Sequence, residues 1–396
     1  MADVRDEIQA EILDKYIIAG KKKCTLVVPT GGGKSFIAMK LMQKLNFDKV
    51  LILVNSTILR DDNWKEEFIK FGLEDFYNNN VEMATYQAAY KWKKEDKTLN
   101  GVLIIADEVD FVANTEKLSN FFYEYTDSTM VGMTGFISKS KRDWFNLFLP
   151  VVAQYSTNEF VDAGLLNDLK FTFVKVPLSD VESMGYLHFE MLLRNNQKRL
   201  EEALMKHMRG DIKINQYQIV EKQCEYTETR IRRERAQYML NLDTTAAYAK
   251  MLTKHFQKKS ETNKVIVFSK LTHQSGKICE IVYNGKNKAK VNKEIFNTFN
   301  SSQNSILGVC SKINRGVNIR GLNVGIWETF YGSDTQFVQQ SGRLRRLNPD
   351  QLAEAVVILP YYKDKGEYRE TVTVLWARKM MNTTRVNHHR TFNYLK

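Results

Sequence analysis

The stretch Cys24-Thr-Leu-Val-Val-Pro-Thr-Gly-Gly-Gly-Lys-Ser35 decides the fold. Residues 24–28 favour a strand and run into Pro29, three glycines and Lys34-Ser35; apolar residues in 36–42 then recur at helical spacing. Strand, glycine loop and helix is the order in which a phosphate-binding loop is built. Glycines let the backbone turn its N–H groups inward around phosphate oxygens, and the following helix presents the positive end of its dipole. In that arrangement Thr30, Gly31, Gly32 and Gly33 cradle a nucleotide, Lys34 reaches its outer phosphates, and Ser35 ligates Mg²⁺. The strict pattern G-x-x-x-x-G-K-[ST] asks for glycine where this chain has Val28. A glycine-rich turn that binds nothing is the alternative, and the strand–loop–helix context argues against it.

Outward from the loop, residues 50–54 and 81–85 read as strands, 102–106 and 130–134 as continuous apolar runs, and 61–71 as a helix. Strands apolar on both faces and separated by helices indicate a parallel sheet covered on both sides. The run 102–106 closes on Asp107-Glu108-Val-Asp110. Acids at the C-terminal end of a buried parallel strand are costly unless they face a ligand or metal. Asp107 is expected to hold Mg²⁺, and Glu108 to orient and deprotonate the attacking water. Two helix-capping acids are the blander reading.

From about residue 178 the β-branched runs stop, and 192–208 and 227–242 read as long helices. Strand patterns resume at 265–268, 306–310, 324–329 and 355–359, with helical patterns at 290–299, 335–344 and 367–381. The expected architecture is α/β: a first domain over 1–177, a helical connector or insertion over 178–258, and a second α/β domain over 259–396.

Composition narrows the function. Lys and Arg number 58 against 46 acids, a formal charge of +12 over 396 residues, which favours nucleic acid before a membrane as partner. The longest apolar runs are strand-sized and too short to cross a membrane, and the opening Met1-Ala-Asp-Val-Arg-Asp-Glu lacks the character of a secretory signal. The four cysteines are scattered without a CxxC pair, so reduced thiols in a cytoplasmic protein are expected, with no zinc site. Lys286, Lys288, Lys290 and Lys293 form one basic cluster and residues 21–23 another. The basic and aromatic tail after Arg385 reads as a frayed terminus.

Taken together these motifs resemble the superfamily 2 nucleic-acid helicases and translocases, near the type III restriction-subunit and phage branch-migration groups. Further segments carry the resemblance: Gln9 upstream of the loop, Leu53-Val-Asn-Ser56 with Trp64 and Phe68, Ala84-Thr85-Tyr86-Gln87, Thr134-Gly135-Phe136, and the segment from Glu159 to Gly164. In the second half they are 265–269, the stretch from Ser311 to Ile319, and Gln339-Gln-Ser-Gly342-Arg343-Leu-Arg-Arg346. The resemblance implies two tandem RecA-like P-loop domains and ATP with Mg²⁺ as cofactors. It implies that Gln9 reads adenine, that Gly316 and Asn318 touch nucleotide, and that Ser56, Thr85, Ser311 and Lys312 grip nucleic-acid phosphates. Thr134 would couple hydrolysis to motion. Gln339, Arg343 and Arg346 would complete the ATPase, the two arginines projecting from one helix face to neutralise charge on the γ-phosphoryl group.

Departures from the family pattern are Asn318 for the usual Asp, Gly135-Phe136 for Ala-Thr, and a second domain expected to be short by about a strand between Ser269 and Tyr283. The implied function is an ATP-dependent DNA helicase or translocase in phage or viral replication or recombination, located in the cytoplasm, the host's if viral. It is expected to act as a monomer, with a protein partner able to dock on 178–258. An RNA helicase, or a nucleic-acid-binding motor subunit active only with a partner, is the alternative.

Overall fold

The computed structural model describes residues 2–55, 64–92, 99, 101–113, 115, 119, 128–310, 319, 321–330, 334–345, 353–383 and 388–395. The chain folds as two compact units. Of the described residues, the first takes those up to Asp168 with Ile319, Gly321, 334–345 and Ala353, and the second takes the rest.

The first unit is built on strands β1 (Lys23–Val27), β2 (Val50–Val54), β3 (Val81–Thr85), β4 (Leu103–Asp107), β5 (Thr129–Thr134) and β6 (Val151–Gln154). They lie in the order β3-β2-β4-β5-β1-β6, and each pairing is parallel. Its helices are α1 (Ala2–Ala19), α2 (Lys34–Leu45), α3 (Trp64–Lys70), α4 (Glu74–Asn80), α5 (Tyr86–Trp92), α6 (Arg142–Phe148) and α7 (Thr157–Asp162). The apolar runs are continuous because both faces are covered. Val50, Ile52 and Val54 pack with Leu26, Ile105, Ile37 and Leu41 on one side, while Leu51 and Leu53 pack with Ile104, Trp144 and Phe145 on the other. Register decides where the chemistry falls. Val27 of β1 lies opposite Thr134 of β5, and Met133 lies opposite Asp107 of β4. The glycine loop, the carboxylates and the Thr134 turn therefore leave the sheet at one edge.

The second unit holds β7 (Leu169–Pro177), β8 (Lys264–Ser269), β9 (Val282–Tyr283), β10 (Ser305–Cys310), β11 (Leu322–Trp327), β12 (Ala353–Asp364), β13 (Glu367–Glu370) and β14 (His388–Asn393). Their order is β14-β7-β12-β11-β8-β10-β9, with β13 paired antiparallel to β12. Helices α8 (Asp180–Met208) and α9 (Ile214–Met239) form a long hairpin, followed by α10 (Asp243–Lys259), α11 (Thr272–Ile278), α12 (Ala289–Ser301), α13 (Asp334–Gly342) and α14 (Val372–Thr383); of these, α13 falls in the first unit.

Four expectations shift. The boundary after residue 177 falls inside the second unit, because β7 joins its sheet and Val174 and Val176 pack with Val356 and Ile358. The helical middle also divides. Its last helix, α10, belongs to the second core through Ala246, Ala249, Leu252 and Phe256, while α8 and α9 hold one another through Asn196 Nδ2 to Cys224 O at 2.9 Å and the Arg235–Glu190 pair. The described part of the tail, 388–395, is no frayed end. Residues 388–393 pair with 170–175 as edge strand β14, and Arg390 Nε donates to Thr172 Oγ1 at 2.9 Å. Finally, 367–381 is a strand and then a helix, broken at the buried Thr371, whose hydroxyl donates to Pro360 O at 2.8 Å. Between Ser269 and Tyr283 the sheet gains one short helix, α11, and the two-residue strand β9. Among the described residues no helix is long and apolar enough to cross a membrane.

Candidate active site

The glycine loop is shaped by what surrounds it. Gly31 and Gly33 adopt φ of 90° and 88°, the left-handed region that side chains resist. A Cβ on Gly32 would lie 2.8 Å from Val28 and Phe160, and one on Gly33 would lie 2.3 Å from the Gln9 amide. No side chain caps the first turn of α2. Its leading N–H groups and the positive end of its dipole are thus offered to an anion. Gln9, buried on α1, donates to Gly32 O at 3.4 Å, so its amide sits against the loop.

Across the edge, β4 ends in the acids. Glu108 takes φ 50°, a left-handed conformation unusual for a side chain of its size. That turn brings its Oε1 to 3.3 Å from Lys34 Nζ. Asp107 receives Trp64 Nε1–H on Oδ2 at 3.3 Å, and its carbonyl receives the Tyr86 hydroxyl at 2.8 Å. Burial, and then the neighbouring Glu108 carboxylate, push the Asp107 carboxyl up to about 6, against the opposing pull of Lys34 and Trp64. Asp110 is fully buried and answered on two sides, by the Thr134 hydroxyl at 3.0 Å and by Lys141 Nζ at 3.4 Å.

The turn after β5 closes on the same loop. A Cβ on Gly135 would stand 3.1 Å from Thr30 Oγ1 and 3.5 Å from Lys34 Nζ. Gly135 thus accompanies a tight approach of this turn to the glycine loop. Gly342, at the end of α13, also backs onto Thr30, its missing Cβ only 3.0 Å from the Thr30 Cβ. Gln339 and Arg343 are buried in this unit, and Gln339 Nε2 has no hydrogen-bond partner among the described residues.

Of the residues singled out in the sequence, Lys34 and Glu108 are in direct contact, and Gln9, Thr30, Gly31, Gly32, Gly33, Ser35, Asp107, Thr134, Gln339 and Arg343 fall in the same compact unit. Thr85 is mostly covered, and its hydroxyl accepts from Ala88 N at 3.2 Å, closing the first turn of α5. Ser56, Ser311, Lys312, Gly316, Asn318 and Arg346 lie outside the described residues. The expected helix carrying both arginines stops at Gly342, so Arg343 stands in the turn beyond it. Sequence reasoning missed Arg345, which is 2% exposed and reaches Asp168 at 3.4 Å and Asn167 O at 3.3 Å. It also missed Lys141 and the contacts of Trp64 and Tyr86 with Asp107. No local signal marks Lys141, because its partner lies 31 residues earlier.

A glycine loop with its lysine against a carboxylate pair, at one edge of a parallel sheet, defines a P-loop nucleoside triphosphatase. The comparisons sharpen that class. Residues 3–139 match the family described as "Type III restriction enzyme, res subunit", and 247–348 match the helicase conserved C-terminal domain. A protein of Sulfurisphaera tokodaii named DNA 3'-5' translocase XPB2 is 21% identical over 392 residues, covering 93% of this chain and 83% of the relative. Among solved structures, a fragment of a putative HsdR subunit of a type I restriction enzyme from Vibrio vulnificus aligns with TM-score 0.61 at 16% identity, covering 97% of this chain and 68% of that one. The ATP-dependent type ISP restriction-modification enzyme LlaBIII bound to DNA aligns with TM-score 0.63 at 13% identity, covering 99% of this chain and 31% of that one. The chain is a superfamily 2 helicase or translocase, and as such an ATP hydrolase.

Proposed function

We propose that this protein is a DNA translocase or helicase whose hydrolysis site is the C-terminal edge of the first sheet. The observation that carries the reading is the 3.3 Å contact of Lys34 with Glu108 beside an Asp107 carboxyl raised to about 6. The hard oxygens of Ser35 and Asp107 are the donors Mg²⁺ takes, and a divalent cation would offset the burial and the Glu108 charge that raise Asp107. Ser35 and Asp107 are therefore the residues that would hold Mg²⁺, which when bound supplies charge neutralisation at the phosphates.

The chain's own groups do the rest. With the Gly32 N–H spent on Pro29 O at 2.9 Å, the other N–H groups of Thr30 to Gly33 and those of the first turn of α2 face the phosphates, and Lys34 leaves Glu108 for the γ-phosphate as ATP enters. Glu108, thus released, takes a proton from the attacking water. Gln339, Arg343 and Arg346 stabilise the transferring group, and Gln9 supports the nucleotide end of the loop. Thr134, bound to Asp110, conveys the change at the carboxylate turn. Ser56, Thr85, Ser311 and Lys312 contact the track, with Gly316 and Asn318 near the nucleotide.

DNA is favoured as the track by the DNA-processing flavour of the motif resemblance, the +12 charge, and a relative named as a DNA translocase. Replication or recombination of a phage or virus, in the cytoplasm, is the setting that resemblance suggests. Steady-state ATPase without nucleic acid and with single-stranded, duplex or forked DNA or RNA, at low and moderate salt, tests the reading. DNA should stimulate wild type, less so as salt rises, and Lys34→Ala should abolish the rate. Stimulation by RNA alone would make RNA the track. A background rate in every condition would overturn the proposal.

A further inference from the structure

Asp107 is held by two aromatic donors that come from different segments. Trp64, 3% exposed at the start of α3, donates its indole N–H to Oδ2 at 3.3 Å. Tyr86, also 3% exposed and first in α5, donates its hydroxyl to the Asp107 carbonyl at 2.8 Å. The first bond fixes the rotation of the carboxylate; the second fixes the height of the strand end that carries it. Both rings are themselves packed in place, Trp64 against Phe68 with centroids 6.1 Å apart and Tyr86 against Phe111 at 6.2 Å.

Their positions in the chain give this clamp a second property. Tyr86 follows Thr85 directly, and Trp64 stands eight residues after Ser56. These are the first-unit segments assigned above to nucleic-acid phosphates. We infer that Trp64 and Tyr86 are positioning residues through which nucleic acid on those two segments sets the Asp107 carboxylate for Mg²⁺ and ATP. The inference rests on the proposed function for its nucleic-acid half, while the positioning half stands on the two hydrogen bonds. The outer groups that orient a metal-binding carboxylate commonly govern metal affinity as strongly as a ligand does. Because Thr85 is joined directly to Tyr86, that orientation would answer to a track bound at Thr85.

The test reads binding rather than turnover. Mg²⁺ is titrated against a fluorescent, non-hydrolysable ATP analogue, with and without single-stranded DNA, on wild type, Trp64→Phe and Tyr86→Phe. Phenylalanine keeps each ring and removes only the donor. Thermal melting and intrinsic tryptophan emission are recorded alongside. Trp64→Phe should melt with wild type yet need about tenfold more Mg²⁺ for half-saturation, with Tyr86→Phe shifted in the same direction and less. DNA should lower the Mg²⁺ requirement of wild type and leave Trp64→Phe unmoved. A folded Trp64→Phe with wild-type Mg²⁺ dependence overturns the positioning role, and if that variant melts early Tyr86→Phe decides by the same criterion. Equal responses to DNA in all three proteins overturn the transmission. Wild type blind to every nucleic acid, in binding and in ATPase, instead brings down the track assignment and the transmission with it, and the shift measured without DNA still decides the positioning role.

Discussion

Two apolar parallel strands of this molecule end in acids, with opposite consequences. In the first unit β4 runs into Asp107 and Glu108; in the second, β11 runs into Glu328. Both strands are buried along their length. Glu108 meets Lys34 at 3.3 Å, beside a glycine loop that leaves a helix end uncapped. Glu328 is 1% exposed and accepts from the Thr245 hydroxyl at 3.2 Å; burial pushes it up to about 7, and the Ser269 and Thr245 hydroxyls only partly counter this. An acid after a buried strand is therefore not by itself a catalytic signal. What separates the two edges is what stands beside them: one has N–H groups and a lysine, the other the Thr245 hydroxyl of α10.

The comparison is broken most directly by removing one charge at each edge. Glu108→Gln should lower ATP hydrolysis on the order of 10²–10⁴-fold, as loss of a general base does, while nucleotide binding is retained. Glu328→Gln should leave the rate near wild type. Equal losses in the two variants, measured by phosphate release, would remove the distinction between a working and a sealed carboxylate.

A buried charge that is neither is Arg345, and it carries the next largest effect. Burial pulls its guanidinium down and Asp168 opposes that pull. Arg345→Ala takes the guanidinium away from Asp168 and the Asn167 carbonyl and empties a buried site, at a cost of about 3 kcal/mol in denaturant unfolding. Arg345→Met, which keeps most of the packing, should cost less. If alanine and methionine prove equally mild, the pair is not holding the end of the motif segment to the first unit.

How much of this was legible beforehand depends on whether the signal is local. The strands 50–54 and 81–85 match β2 and β3 residue for residue: 50–54 is an unbroken run of Val, Leu and Ile, and 81–85 opens and closes on the β-branched Val81 and Thr85. Lys34 and Glu108 were legible because a glycine loop and an acid-ended strand each carry their meaning within a few residues. Sheet membership was not. The alternating pattern of β7 fits either sheet, and only its pairing with β14 and β12 assigns it to the second. The 367–381 segment has apolar residues that suit either a strand or a helix, and a hydroxyl bond from Thr371 to Pro360 decides where one becomes the other. Trp64 was read as a motif residue without its contact, because 43 residues separate it from Asp107. Arg345 sits between the two arginines that the motif selects. Once α13 stops at Gly342, helical spacing no longer says which of the three points inward.

The Glu328 edge makes a prediction of its own in pH. Its folded pKa of about 7 lies above the ordinary 4.5, so the folded state binds the proton more tightly than the unfolded chain. That contribution to stability is fully present below about 4.5, declines as pH rises, and is gone above about 7. Glu328→Gln, neutral throughout, should gain on wild type across that window. The gain is about 3 kcal/mol at pH 8 and vanishes towards pH 4.5. Melting curves at both ends check it, and a difference independent of pH would mean that packing alone is being measured.

The smallest effect tests what opens the first edge. Gly20 and Gly33 both sit at positive φ, 59° and 88°, but nothing lies within 4 Å of the place where a Gly20 Cβ would stand, whereas a Gly33 Cβ would lie 2.3 Å from Gln9 Nε2. Gly20→Ala should therefore show the cost of the left-handed backbone alone, about 1 kcal/mol. Gly33→Ala adds the displacement of a buried amide from the loop and should cost about 1–2 kcal/mol more. Only Gly33→Ala should weaken nucleotide binding, because only there does the strain fall on the N–H groups that face the phosphates. Adding Gln9→Ala to Gly33→Ala should return the part of the loss due to the clash and none of the part due to φ. If the double variant recovers nothing, the loop is held open by backbone conformation, and Gln9 serves the nucleotide rather than the turn.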